Sequence, residues 1–100
     1  MEKNKNKILV RAVADYQLFG DVDGSSWMLD TLQRATTEGK IKGYNVMSSV
    51  TGSWGIQFVS FTIDAEIVPA QFSNAKEILT TWLNSIINDS DVEVRWVGVP

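Results

Sequence analysis

Carboxylates, lysines and tyrosines are the side chains left for chemistry in this chain of 100 residues, because it contains no histidine and no cysteine. Without those two residue types it cannot build a Ser-His-Asp triad, a thiolate nucleophile, a Cys/His zinc site or a disulfide. No pair of the remaining groups has a spacing that favours acid–base catalysis over an exposed surface. We therefore expect a protein that is not an enzyme and that uses no cofactor.

Cation binding is the other chemistry that the acidic residues suggest. The D-V-D-G run at residues 21–24, followed by Asp30, resembles the core and the final acidic ligand of an EF-hand calcium loop. However, Phe19 stands where the first aspartate ligand should be, and Asp30 is shorter than the usual bidentate glutamate. No helical pattern precedes the loop either. We therefore predict that the chain has no metal site.

Hydrophobic periodicity predicts six elements in the order βαββαβ. The predicted strands cover residues 8–16, 44–50, 56–67 and 92–97. The first helix should begin at a cap provided by Ser25 or Ser26 and end at Gly39. The second should begin near Ser73, with apolar residues at helical spacing as far as Ile87. Trp82 and Trp96 are predicted core residues.

The element order resembles the ferredoxin-like, or split βαβ, arrangement over residues 8–99. The resemblance implies an α+β fold in which both helices cover one face of a four-stranded antiparallel sheet with strand order 4-1-3-2. We expect residues 1–7 to be a flexible basic tail and residues 8–100 a single domain. No apolar run is long enough to span a membrane and no signal peptide is evident, so we expect a cytoplasmic location without membrane contact.

The charges are divided unevenly along the chain. The net charge is -3, but residues 1–7 hold three lysines and one glutamate, which leaves about -5 on residues 8–100. An acidic body repels phosphate, so nucleic acid is a disfavoured partner. In the predicted topology one end of the sheet gathers acidic and aromatic residues. This end should hold Asp15, Asp21, Asp23, Asp89 and Asp91, together with Phe19 and Trp54.

One strand resembles part of the RNA-recognition motif. Residues 54–61 read WGIQFVSF, of which Gly55, Phe58, Val59 and Phe61 match that family's third-strand signature. The basic first position is a tryptophan, and Ile56 replaces the first stacking aromatic. The resemblance implies a single-stranded RNA binder that stacks a base on Phe58 and uses Arg11 and Arg95 to offset the acidic body. It is the first alternative function.

The sheet face away from the helices is the predicted binding surface. An aromatic residue, a methionine and arginines among hydrogen-bonding groups are typical of protein interfaces. The face is expected to carry Leu9, Arg11, Val13, Asn45, Met47, Ser49, Phe58, Ser60, Thr62, Glu93, Arg95 and Val97.

We therefore predict a small acidic binding protein that engages a protein partner, as a regulator or an inhibitor would. The predicted contact residues are Phe58, Met47, Arg11, Arg95, Trp54, Phe19, Asp21, Asp23 and Asp89. A second copy of the chain, held through the sheet face or the edge strand 44–50, is one such partner. A ligand-sensing or dimerisation module is the second alternative function.

Overall fold

The computed structural model describes residues 6–19, 23–87 and 91–100, which form four strands and two helices. The elements are β1 (Ile8–Phe19), α1 (Gly24–Thr37), β2 (Gly43–Thr51), β3 (Ile56–Ile67), α2 (Ala75–Ile87) and β4 (Val92–Gly98). Short 3₁₀ segments, Ser53–Gly55 and Pro69–Asn74, lead into β3 and α2. The predicted α+β class, with a four-stranded antiparallel sheet and two helices, is confirmed.

The sheet is antiparallel throughout, with the strand order β2-β3-β1-β4. The two central strands, β1 and β3, pair over their whole length, from Ile8 opposite Ile67 to Phe19 opposite Ile56. Because successive side chains of a strand point to opposite faces, every second residue of both strands lies on one face. On that face the buried residues are Val10, Ala12, Ala14, Tyr16, Val59, Phe61, Ile63, Ala65 and Ile67.

Both helices cover this same face of the sheet. The buried side chains of α1 and α2 recur at helical spacing and belong to one cluster with the strand residues above. They include Met28, Leu32 and Ala35 of α1 and Leu79, Leu83 and Ile87 of α2. Full burial of such a side chain contributes roughly 1.5–3 kcal/mol. The opposite face has no covering layer in the part of the chain that the structure describes, and we call it the open face.

Asp23, and not a serine, caps α1. Its Oδ1 accepts hydrogen bonds from the Ser25 hydroxyl at 2.9 Å and from the Ser26 backbone N–H at 3.4 Å. Its Oδ2 accepts one from the Ser26 hydroxyl at 3.1 Å. The prediction of a serine cap was wrong because both serines donate to the carboxylate instead of serving the helix end themselves. At the other end Gly39 has a φ of +78°, so the predicted glycine stop is confirmed.

Gly24, the first residue of α1, brings the helix unusually close to the sheet. Its N–H donates to Gln57 Oε1 at 3.0 Å. A Cβ at this position would lie only 2.9 Å from both that oxygen and Val59 Cγ2. The absence of a side chain therefore lets α1 start directly above β3.

A β-bulge in the edge strand β4 reverses the faces of its last residues. Val13 pairs with Trp96 while Ala14 pairs with Val94, which leaves Arg95 as the extra residue. Trp96 consequently lies on the open face, 48% exposed, and its predicted place in the core was wrong. The next residue, Val97, was predicted on the open face but is partly buried against the core.

The other edge strand, β2, contains a second bulge. Val46 pairs with Phe61 and Ser48 pairs with Ser60, so Met47 is the extra residue. One added residue moves every later side chain to the other face of a strand. Ser49, predicted on the open face, therefore lies opposite Val59 on the helix side.

Candidate binding surface on the open sheet face

Exposed apolar side chains are concentrated on the open face. Eleven large hydrophobic residues are exposed among those that the structure describes, and the register of the strands places five of them on this face. These five are Leu9, Phe19, Val50, Phe58 and Trp96, and Met47 is exposed in the adjoining bulge of β2. A monomeric protein normally scatters such residues singly, whereas a concentration on one surface marks a binding site.

Three apolar residues of this surface, Phe19, Val50 and Phe58, lie at the end where β2 turns into β3. Phe58 lies between Val50 on β2 and Gln17 on β1, and Phe19 lies nearby at the end of β1. Trp54 occupies the turn that joins β2 to β3. We call Phe19, Val50, Trp54 and Phe58 the hairpin-end patch. Phe58 is 47% exposed and lies on the face where the alternation of β3 predicts it.

Trp54 is held in an unfavourable conformation and is almost completely exposed. It is 93% exposed, and its φ of 64° lies in the left-handed region. For residues other than glycine this region costs roughly 1–2 kcal/mol. The turn is closed by a 2.7 Å hydrogen bond from the Gly52 N–H to the Ile56 carbonyl. Because the indole gains little burial in return, its position is hard to explain by stability alone.

Among the described residues, Arg11 and Asp64 form one of three ion pairs that involve carboxylates of the open face, and the pair of Lys42 with Glu66, 3.6 Å apart, lies at its Leu9 end. Arg11 and Asp64 lie directly opposite each other on β1 and β3. Arg11 Nε donates to Asp64 Oδ1 at 2.8 Å, and Nη2 donates to Oδ2 at 3.0 Å. These hydrogen bonds hold the pKa of Asp64 below its ordinary value and raise the pKa of Arg11. Asp64 was not predicted as part of the surface, although the register of two central strands would place it there.

The second ion pair joins Arg95 to Asp15. Arg95 Nε donates to Asp15 Oδ2 at 2.8 Å, and the Ser60 hydroxyl donates to Asp15 Oδ1, also at 2.8 Å. The sequence placed Asp15 at the acidic end of the molecule, which was wrong because the strand continues to Phe19 and leaves Asp15 in its middle. Both arginines predicted to contact a partner are thus already paired with carboxylates of this chain.

Only some residues of the predicted acidic end belong to the part of the chain that the structure describes. Asp21 and Asp89 lie outside the described residues. Asp23 is occupied as the cap of α1, and hydrogen bonds from Ser25 and then Ser26 lower its pKa. No group of three acidic side chains close enough to hold a metal ion occurs within the described ranges.

A shallow groove on the helix side was not predicted from the sequence. It has a volume of about 280 Å³ and lies between the end of β3 and α2, with Ile67, Ile78 and Trp82 among its walls. Lys40 and Glu66 lie at its polar side. Lys40 is bridged to Glu38 at 3.1 Å, so the cation that the described residues contribute to the groove already has a partner.

Neither helix in the described part of the chain has the length and apolar character needed to cross a membrane. Comparison of the chain with protein-family models, with curated proteins and with solved structures gives no match.

Proposed function

We propose that this chain is a non-enzymatic binding protein of the ferredoxin-like class that engages a protein partner through the open face of its sheet. The observation that carries the proposal is the concentration of five exposed large apolar side chains on that one face. Aromatic residues, methionine and arginine are enriched where proteins meet. The strand order β2-β3-β1-β4, with both helices on the other face, supports the ferredoxin-like assignment.

Within this surface the hairpin-end patch is the proposed energetic centre. Binding energy usually comes from a few large side chains, with tryptophan among the most frequent. Trp54 is nearly fully exposed and Phe58 about half exposed, so both could bury considerable area on binding. A regulator or inhibitor that works by occupying a surface needs only such contacts and no catalytic group.

Site-specific photo-cross-linking tests the proposal. A photoreactive phenylalanine analogue replaces Phe58 in one variant, Trp54 in a second and Phe72 in a matched control. Phe72 is 40% exposed, similar to Phe58, but lies in the Pro69–Asn74 segment before α2. We expect polypeptide adducts from positions 58 and 54 in cells that make the protein, and none from position 72. The absence of adducts at 58 and 54, or equal adducts at all three positions, would contradict the proposal.

The RNA-binding alternative has one feature in its favour and one against. Phe58 lies exposed where a base could stack on it. However, Arg11 and Arg95 are paired with Asp64 and Asp15, so phosphate would have to displace a carboxylate from each. We expect no retention of a random single-stranded RNA pool on nitrocellulose at about 10 µM protein and low salt, a range in which non-specific nucleic-acid binders are retained. Retention that is lost in F58S would favour RNA instead.

A further inference from the structure

We infer that the partner on the open face is a second copy of this chain, with the two sheets stacked face to face about a twofold axis. This inference rests on the proposed function, because it names the occupant of the same surface. It concerns the open face and not the strand edges that the sequence also suggested.

The edges of the sheet are poorly suited to joining two copies. Edge pairing needs a regular row of free backbone N–H and C=O groups. Each edge strand carries a β-bulge, at Met47 in β2 and at Arg95 in β4. Bulges interrupt that row and twist the edge away from a neighbouring strand. We therefore expect two copies to associate through the open face of the sheet and not through its edges.

The charges of the open face suit a second copy better than a strongly charged partner. Two of the ion pairs, Arg11 with Asp64 and Arg95 with Asp15, form a central band with equal numbers of positive and negative groups. This balanced band adds no attraction of its own to a basic or an acidic partner, although the chain as a whole carries a net charge of -3. Two copies related by a twofold axis present the same band to each other, so an arginine of one copy can approach a carboxylate of the other. Glu93, opposite Asp15 on β4, lies at the rim of the face.

The size of the face is sufficient for a weak specific dimer. Strands of 7 to 12 residues form the sheet. At strand spacings of about 4.8 Å and about 3.3 Å per residue, the face covers on the order of 600 Å² on each copy. The two copies together would bury about 1,200 Å², which is the lower limit for stable specific interfaces. We therefore expect a dissociation constant in the micromolar range.

The apolar residues are distributed so that both halves of the face contribute. Phe58 and Val50 lie toward the hairpin end, Leu9 lies toward the other end, and Trp96 lies between them opposite Val13. Stacked sheets pack about 10 Å apart with interdigitating side chains. A twofold axis through the ion-paired band would place the aromatic end of one copy over the Leu9 end of the other.

Sedimentation equilibrium over a wide concentration range tests this arrangement. The wild-type mass should rise from 11.1 kDa toward twice that value as the concentration increases from about 5 to about 500 µM. F58D should remain monomeric, whereas the matched control F72D should associate as the wild type does. Association should strengthen modestly as salt is added, because salt screens the repulsion between two copies that each carry a net charge of -3 and leaves the apolar contacts in place.

A measurement on the unmodified protein covers the case in which F58D does not fold. The methyl NMR signals of Leu9, which is 41% exposed on the open face, should shift on dilution. The signal of Met28, which is fully buried beneath α1, should not. A constant mass of 11.1 kDa at the highest concentration would overturn the inference, as would a dimer that F58D leaves intact.

The failure of this inference can be distinguished from the failure of the proposed function. If the chain is monomeric and cross-links from position 58 contain another protein, the face binds a partner that is not a second copy. If the chain is monomeric and position 58 gives no adduct of any kind, both proposals fail. Adducts with twice the mass of the chain support both.

Discussion

Arg11 and Asp64 face each other across the two central strands and share two hydrogen bonds, at 2.8 and 3.0 Å. The pair lies at the centre of the surface that we propose to bind a protein. Because the Arg11 guanidinium and the Asp64 carboxylate are hydrogen-bonded to each other, both charges keep a partner when another molecule covers the face. The pair also links the stability of the fold to pH.

We expect D64N to flatten the acid side of the stability profile. Arg11 lowers the pKa of Asp64 in the folded protein below the value of about 3.9 that an unfolded aspartate has. The stabilisation is therefore complete above that value and is lost as the pH falls through the lower folded pKa. Urea unfolding between about pH 7 and pH 2 should show a smaller acid-induced loss in D64N than in the wild type.

Asp23 titrates in the same acidic range, so D64N should retain part of the dependence. The hydrogen bonds from Ser25 and Ser26 lower the pKa of Asp23, and acid should weaken this cap as well. D30N, which changes an exposed carboxylate of α1, is a suitable control of equal charge. A profile of D64N that is indistinguishable from the wild type would show that the ion pair contributes nothing in solution.

The central part of the fold could be predicted from the sequence because buried and exposed residues alternate regularly along the two central strands. Every second residue of β1 and β3 is buried over most of their length, and no bulge interrupts their pairing. Phe58 could therefore be placed on the open face from alternation alone. The register of the same two strands also brings Asp64 opposite Arg11, a relationship that follows from strand pairing and not from the pattern of either strand alone.

The edge strands could not be predicted in the same way. Whether Arg95 lies in the regular ladder or in a bulge depends on how β4 pairs with β1, which no local pattern of β4 reveals. Trp96 was accordingly assigned to the wrong face. The cap of α1 was misassigned for a related reason, since Asp23, Ser25 and Ser26 are all good capping residues and only their mutual hydrogen bonds decide among them.

The bulge in β4 predicts a strong effect of a small change at Gly98. The Trp96 indole lies over Gly98 so closely that a Cβ there would overlap its ring. G98A should displace the ring and shift the Trp96 indole N–H signal in NMR spectra. G43A, where a Cβ would meet Asp64 at an ordinary 3.6 Å, should leave that signal unchanged. An unchanged Trp96 signal in G98A would place the ring elsewhere.

Gly24 predicts a second site that is sensitive to one methyl group. In G24A the new Cβ would press against Val59 and Gln57 at 2.9 Å, where α1 begins above β3. We expect the free energy of unfolding to fall by roughly 1–3 kcal/mol, as for overpacked sites in general. Thermal and urea unfolding measure this loss. If G24A is as stable as the wild type, α1 does not start this close to the sheet.

The buried face of α2 should account for much of the stability. Leu83 is fully buried, and L83A should lower the free energy of unfolding by about 2–5 kcal/mol, the range found for cavities left by deleted leucines. Leu29 in α1 is 44% exposed, so L29A should cost much less. The comparison by urea unfolding separates core packing from helix propensity, because both variants place alanine in a helix. Equal losses would contradict the assignment of Leu83 to the core.

Trp54 should differ from the other tryptophans in what its removal costs. Glycine adopts a φ of 64° readily and, at a position that is 93% exposed, loses little packing, so W54G should leave the free energy of unfolding unchanged or raise it by up to about 1 kcal/mol. Trp27 stacks on Tyr16 with ring centroids 5.3 Å apart, and W27G should therefore destabilise the fold. Urea unfolding compares the two variants. A loss of stability in W54G as large as that in W27G would show that the Trp54 ring packs on the fold, which would remove it from the proposed binding surface.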